Sequence, residues 1–253
     1  MLPTLQIDGA LATIRLNRPE SANRLSVEDL ECLLDLIQQV NSSANTLVLK
    51  LIADGRHFCA GFDISSLDQG AQDKSLLFEV AVNAIEDCRP ITIARIQGGV
   101  YGGATDLALA CDFRIGSQEA RMFMPAAKLG IHFYERGLQR YVSRLGLDHA
   151  KRLLLTAEEL SAAQMREIGF LTDLVDEHEL DSTVNNLSEH LCQLAPLSLL
   201  GMKKHLNAIA RNDLNREELA RDIAISQNSD DLQEGRQAHV CQGGQSSRPI
   251  ASL

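Results

Sequence analysis

The chain has 253 residues, 45% of them hydrophobic, with 34 acidic and 24 basic side chains and a formal net charge of −10. A chain of that length buries about three quarters of its unfolded surface, which excludes a disordered or fibrous class. The acidic balance argues against nucleic acid as a partner, because phosphate-backbone binding needs a concentrated Lys/Arg surface; a small anionic ligand held by helix N-termini remains open.

In chain order, Leu5–Ile7 and Leu11–Leu16 flank Asp8-Gly9-Ala10, a tight-turn signal that predicts two antiparallel strands. Ser26 with Asp29 predicts a capped helix whose Leu30, Leu33, Leu34, Ile37 and Val40 share a face. Thr46–Ile52 reads as a buried strand, Ser75–Cys88 as a helix, Ile91–Ile96 as a strand and Gly102–Ala110 as a helix. Phe113–Ile115 and Arg121–Met124 read as short strands. From Leu138 the pattern is almost entirely helical, with a capping box at Ser161 and Gln164, and the tail from Gln242 to Pro249 reads as loop. The expected organisation is an α/β core over 1–195 followed by a helical region over 196–253.

The six cysteines are scattered and form no C-x-x-C, so they read as reduced core thiols rather than a metal or redox centre. The first residues lack the basic start and apolar run of a signal peptide, and no stretch approaches the ~18 apolar residues of a membrane span. A soluble, cytoplasmic protein is the expectation.

Two glycine-centred turns carry the chemistry. Phe58–Asp63 and Gly98–Asp106 each lead from an apolar strand-like run into a candidate helix. Together they are able to aim two backbone N–H groups at one oxygen, the arrangement that stabilises charge developing on a carbonyl. Glycines at 102 and 103 are expected to admit a ligand to the backbone, or else to serve tight packing. Neither G-x-G-x-x-G nor G-x-S-x-G occurs. Asp106, three residues after Gly103 on one helix face, is expected either to reach a group bound at that N-terminus or simply to favour the helix dipole. His57 and His132 read either as titratable site groups or as structural histidines.

The run Leu16-Asn17-Arg18-Pro19, then Phe58–Ile64, Gly98–Asp112, Leu129-Gly130-Ile131 and Gly137-Leu138-Gln139-Arg140 resembles the crotonase (enoyl-CoA hydratase/isomerase) superfamily over roughly residues 4 to 240. The resemblance implies a spiral of ββα turns, followed by helices that mediate trimerisation or cover a neighbour's site, in a homotrimer or a dimer of trimers. It implies oxyanion donors at the N–H groups of Phe62 and Gly103, and an adenine and pantetheine channel lined by Ser21, Ala22, Ala60 and Ile64. Coenzyme A would be the carrier of an acyl substrate, with no resident cofactor and no metal. The family's hydratases have a glutamate where this chain has Asp106, and a second one where it has Ala126, which transfers no proton. Isomerases and dehalogenases of the superfamily use a carboxylate four residues after the glycine, a place held here by Tyr134, with Glu135 beside it. Glu135 would either enter the cavity or pair with Arg136 or Arg140 at the surface. The expected function is an acyl-CoA-processing enzyme of the hydratase/isomerase type; the alternatives are another reaction of the superfamily, such as decarboxylation, or a non-catalytic acyl-CoA-binding homologue.

Overall fold

The computed structural model describes residues 1–63 and 71–233, with the side chains of 71–74 left out. Ile64, Cys241 and the tail 242–249 lie outside the described residues. The chain divides into two compact units, Met1–Gln193 and Leu194–Leu253.

The first unit opens with the antiparallel pair β1 (Thr4–Asp8) and β2 (Leu11–Leu16), turned by Gly9 at φ 57°. β3 (Val48–Ala53), β4 (Ile91–Ile96), β6 (Phe113–Ser117) and β9 (Asp173–Val175) add in parallel, giving the order β1-β2-β3-β4-β6-β9. A second sheet of β5 (Gly99–Tyr101), β7 (Arg121–Phe123) and β8 (Leu160–Ser161) has the order β5-β7-β8. Parallel neighbours need a crossover, and the helices supply it. α1 (Val27–Ser42) links β2 to β3, α2 (Ala71–Glu86) precedes β4, and α3 (Gly103–Ala110) links β5 to β6. α4 (Glu135–Leu145), α5 (Leu147–Thr156), α6 (Ala162–Glu167) and α7 (Leu180–Cys192) follow.

Each element forms for a local reason. Ser26 Oγ accepts the Asp29 N–H while the Asp29 carboxylate accepts the Ser26 N–H at 2.8 Å, and Ser161 with Gln164 repeats the device at α6. Leu30, Leu33, Ile37 and Val40 of α1 are buried, joining Ile14, Leu16, Leu49 and Leu51 of the sheet in one core. β3 and β4, covered on both faces, are apolar runs rather than alternating ones.

The almost entirely helical pattern expected after Leu138 is interrupted by two short strands. β8 pairs antiparallel with β7 and β9 extends the six-stranded sheet beside β6. At two and three residues they are too short to leave a period-2 signal. The strand β5 inside the second glycine turn escapes for the same reason.

In the second unit, α8 (Pro196–Ala210) starts on a proline at its first turn, and α9 (Arg216–Gln227) is capped by Asn215, whose Oδ1 accepts the Glu217 and Glu218 N–H groups. His205 Nε2 lies 2.9 Å from Asp222 and Lys204 Nζ 2.6 Å from Glu218, tying the two helices together. Among the described residues no helix is long and apolar enough to cross a membrane.

Removing the α1 cap by Ser26→Ala is expected to lower stability by about 1 kcal/mol, read as a shift in the urea midpoint at constant slope.

Candidate active site

The first glycine turn is pinned from both sides. Ala60 N–H donates to Ala22 O at 2.9 Å, Leu25 N–H to Gly61 O at 2.8 Å and Asp63 N–H to Leu25 O at 2.9 Å. On the opposite side Cys59 pairs with β5, its N–H donating to Gly99 O at 3.2 Å and its O accepting from Tyr101 N–H at 3.0 Å. Its thiol adds a further tie, donating to Asn23 O at 3.0 Å and accepting the Gly61 N–H at 3.3 Å. Burial pushes that thiol up to about 12, so it is held as a neutral donor.

These bonds fix where the two amides point. In a trans peptide the C=O and N–H are antiparallel. Since Gly61 O faces Leu25, the Phe62 N–H faces away from it; since Gly102 O accepts from Thr105 N–H at 3.0 Å and Thr105 Oγ1 at 2.6 Å, the Gly103 N–H points out of the α3 N-terminus. Among the described residues neither N–H has an acceptor. Phe62 and Gly103 both line one cavity of about 320 Å³.

Glycine permits the approach. Gly61 has φ +88°, and a Cβ there would lie 2.6 Å from Tyr101 O and 3.0 Å from Gly103 N. Gly103 answers to packing instead: its Cβ would lie 2.6 Å from the Phe78 ring, so that space belongs to α2 and not to a ligand.

The cavity is largely apolar and aromatic, with Phe62, Phe78, Tyr101, Phe123, Phe133 and Tyr134 in its lining. The Phe62 and Phe78 centroids are 5.8 Å apart, Phe78 and Tyr134 meet edge-on at 6.3 Å, and Phe133 stacks on Tyr134 at 4.7 Å. Ala126, with Met124 and Pro125, also lines it, confirming that no carboxylate projects from that position. Asp63 is the only carboxylate among the described lining residues, and it lies 3.6 Å from Arg24.

Asp106 is fully buried and does not line the cavity; Tyr134 stands between them. The Tyr134 hydroxyl donates to Asp106 Oδ2, and Arg140 Nη1 donates to the same oxygen at 2.7 Å. Asp106 Oδ1 is buried and has no hydrogen-bond partner among the described residues. Burial raises the Asp106 pKa, opposed by the charge of Arg140 and the hydrogen bond from Tyr134. Burial and the Asp106 charge push the Tyr134 phenol far above its ordinary value, so it is neutral.

Arg140 is buried completely, on the face of α4 shared with Gly137 and Tyr141. Its Nε lies 3.0 Å from Glu86 Oε1 and its Nη2 2.9 Å from Asn83 Oδ1. Arg136 Nη2 reaches Glu86 Oε2 at 2.5 Å, and its Nη1 reaches Asp87 at 2.8 Å. Burial opposes ionisation of Glu86, but Arg140 and then Arg136 outweigh it and hold its carboxyl down at about 2. The Arg140–Glu86 pairing was not read from the sequence, where Arg140 entered only as a motif residue and as a surface partner for Glu135.

The remaining predicted residues divide plainly. Glu135 is exposed at the first turn of α4 and does not line the cavity: the Tyr134 position is the one turned inward, while Arg136 and Arg140 are taken by other carboxylates. Ala60 lines the cavity; Ser21 and Ala22 do not, but sit in the adjoining turn, whose Ala22 O holds Ala60. His57 is structural, its Nδ1 accepting the Gly99 N–H at 3.0 Å. His132 is exposed at the cavity wall.

The profile of the enoyl-CoA hydratase/isomerase family matches residues 6–244, and the chain belongs to that family. It is 30% identical over 213 residues, covering 78% of this chain and 77% of the relative, to the peroxisomal Delta(3,5)-Delta(2,4)-dienoyl-CoA isomerase of Arabidopsis thaliana. To a short-chain-enoyl-CoA hydratase of Clostridium acetobutylicum it is 28% identical, covering 83% of each. An enoyl-CoA hydratase crystal structure from Bacillus anthracis superposes with a TM-score of 0.85 at 26% identity, covering 96% of this chain and 97% of that one. The protein is therefore an acyl-CoA-processing enzyme of the hydratase/isomerase type.

A methyl group at position 61 would force the two turns apart. Gly61→Ala is expected to cut kcat/KM by about 10²–10³, the loss typical when a backbone N–H in an active site is moved out of place, with the far-UV spectrum retained; steady-state kinetics on an enoyl-CoA checks it.

Proposed function

We propose that the protein is a double-bond isomerase of acyl-CoA thioesters, with the thioester oxygen held between the Phe62 and Gly103 N–H groups and one proton relay, Tyr134 backed by Asp106, serving both transfers. The observation that carries this reading is the Tyr134 hydroxyl, set between the cavity and a buried carboxylate.

Loss of a proton next to the thioester carbonyl puts an electron pair on its oxygen, where two N–H donors and the positive end of α3 stabilise it. Tyr134 Oη takes that proton from carbon as its own phenolic proton passes to Asp106 Oδ2. Reversal of the relay returns a proton to the far end of the conjugated enolate, and the double bond has moved. A carboxyl whose pKa burial has raised binds a proton more readily than an exposed one, which suits a group that must gain and then release one. Ala126 favours this over hydration, because no second carboxylate stands there to hold a water molecule.

The apolar lining favours an uncharged acyl chain. Coenzyme A acts as substrate carrier, its adenine and pantetheine running past the Ser21–Ala22 turn, Ala60 and position 64, with no resident prosthetic group. Exposed Leu197, Met202, Leu206 and Ile209 on α8 support a homo-oligomer, a trimer or a dimer of trimers, whose mass light scattering would report. The free thiols suit a cytoplasmic setting.

Tyr134→Phe and Asp106→Asn are each expected to lower kcat for a 3-enoyl-CoA by about 10²–10⁴ while KM changes little. In deuterated water the same variants should lose exchange into the acyl chain. Unchanged turnover in Tyr134→Phe, or water addition as the main product, would overturn the reading.

A further inference from the structure

Arg140 is divided between two carboxylates on different helices. Its Nη1 holds Asp106 of α3, while its Nε and Nη2 face Glu86 of α2 at 3.0 and 3.4 Å. We propose that Glu86, which is not among the residues lining the cavity, is a positioning residue for the reaction: by claiming one edge of the Arg140 guanidinium it sets how much of that charge reaches Asp106. This rests on the Tyr134–Asp106 relay.

The surroundings make the division a matter of charge rather than of shape. Asp106 is faced by Tyr134 and Arg140 at Oδ2, by Tyr141, whose hydroxyl is engaged by Thr105, and by Glu86 across the guanidinium. Glu86 is faced by Arg140, by Arg136 at 2.5 Å and by Arg144 at 4.0 Å, with Asp87 drawing on Arg136 and Asn83 on Arg140. With Arg140 undivided, Asp106 would be paired too firmly to accept the Tyr134 proton; without Arg140 it would be protonated already and equally unable to accept it. The Glu86 charge sets the point between these failures, since it raises the Asp106 pKa while Arg140 lowers it.

The two ends of the guanidinium therefore predict shifts of opposite sign, and a positioning role further requires that kcat follow the midpoint, which a merely structural ion pair does not. The readout is the protonation midpoint of Asp106 in the resting full-length protein, followed by difference infrared spectroscopy on the carboxyl band that Asp106→Asn removes. Glu86→Gln is expected to move that midpoint down by roughly half to one unit, and the acid limb of the kcat profile with it, while KM changes less than about threefold. Glu86→Asp, which keeps the charge, should restore most of the original midpoint, and Arg140→Gln should move it up. A midpoint unmoved by Glu86→Gln, or moved up by it, overturns the proposal even if Arg140→Gln does not fold. Because the midpoint is read without turnover, failure here is separable from failure of the relay, which Tyr134→Phe decides.

Discussion

The constraint on which the site depends is the close approach of two chain segments at Gly61, nearer than a side chain would allow. Its left-handed backbone lies against Tyr101 O and Gly103 N, with no room for a Cβ. Everything around the turn maintains that contact: the backbone bonds to Ala22 and Leu25 on one side, the pairing of Cys59 with β5 on the other, and the Cys59 thiol. The sheet below serves the same end, because parallel strands ending together deliver their following turns to one edge. The carbonyls of Gly61 and Gly102 are each tied into their own segment, so the next N–H points away from it, and both Phe62 and Gly103 line the cavity.

The second constraint is electrostatic. A carboxylate as deeply buried as Asp106 is costly to desolvate, and a buried ion pair seldom repays that cost in stability. Here the expense is tied to a site: the same oxygen that Arg140 holds also accepts the one cavity-lining phenol hydrogen-bonded to it. Neutral Tyr134 and low-pKa Glu86 show how differently one network treats its members, the phenol kept protonated and the outer carboxyl kept ionised. Gly137 belongs to this arrangement as well, since a Cβ there would meet the Phe133 ring at 2.3 Å and Asp106 Oδ2 at 3.2 Å.

Legibility in the sequence followed the range of the interaction. The capping boxes at Ser26 and Ser161, the Asp8-Gly9 turn and the apolar strands are local signals, and the chain carries them openly. The glycine turns were legible because only a small set of backbone shapes requires glycine, although the reason at Gly103 proved to be the Phe78 ring. Asp106 and Tyr134 could each be singled out, but not that one stands in front of the other, because 28 residues separate them. Arg140 and Glu86, 54 apart on helices whose surface patterns look ordinary, gave no sign of pairing. Glu135, next to the cavity-lining Tyr134, faces outward in a register that only the start of α4 fixes.

α2 carries two of these elements at once. Phe78 on that helix fills the notch over Gly103, and Asn83 and Glu86, two turns on, hold Arg140. One helix thereby contacts both the Gly103 turn and the Arg140 guanidinium. Displacing that helix would therefore disturb the Phe78–Gly103 packing and the Arg140 ion pair together, so neither contact changes without the other.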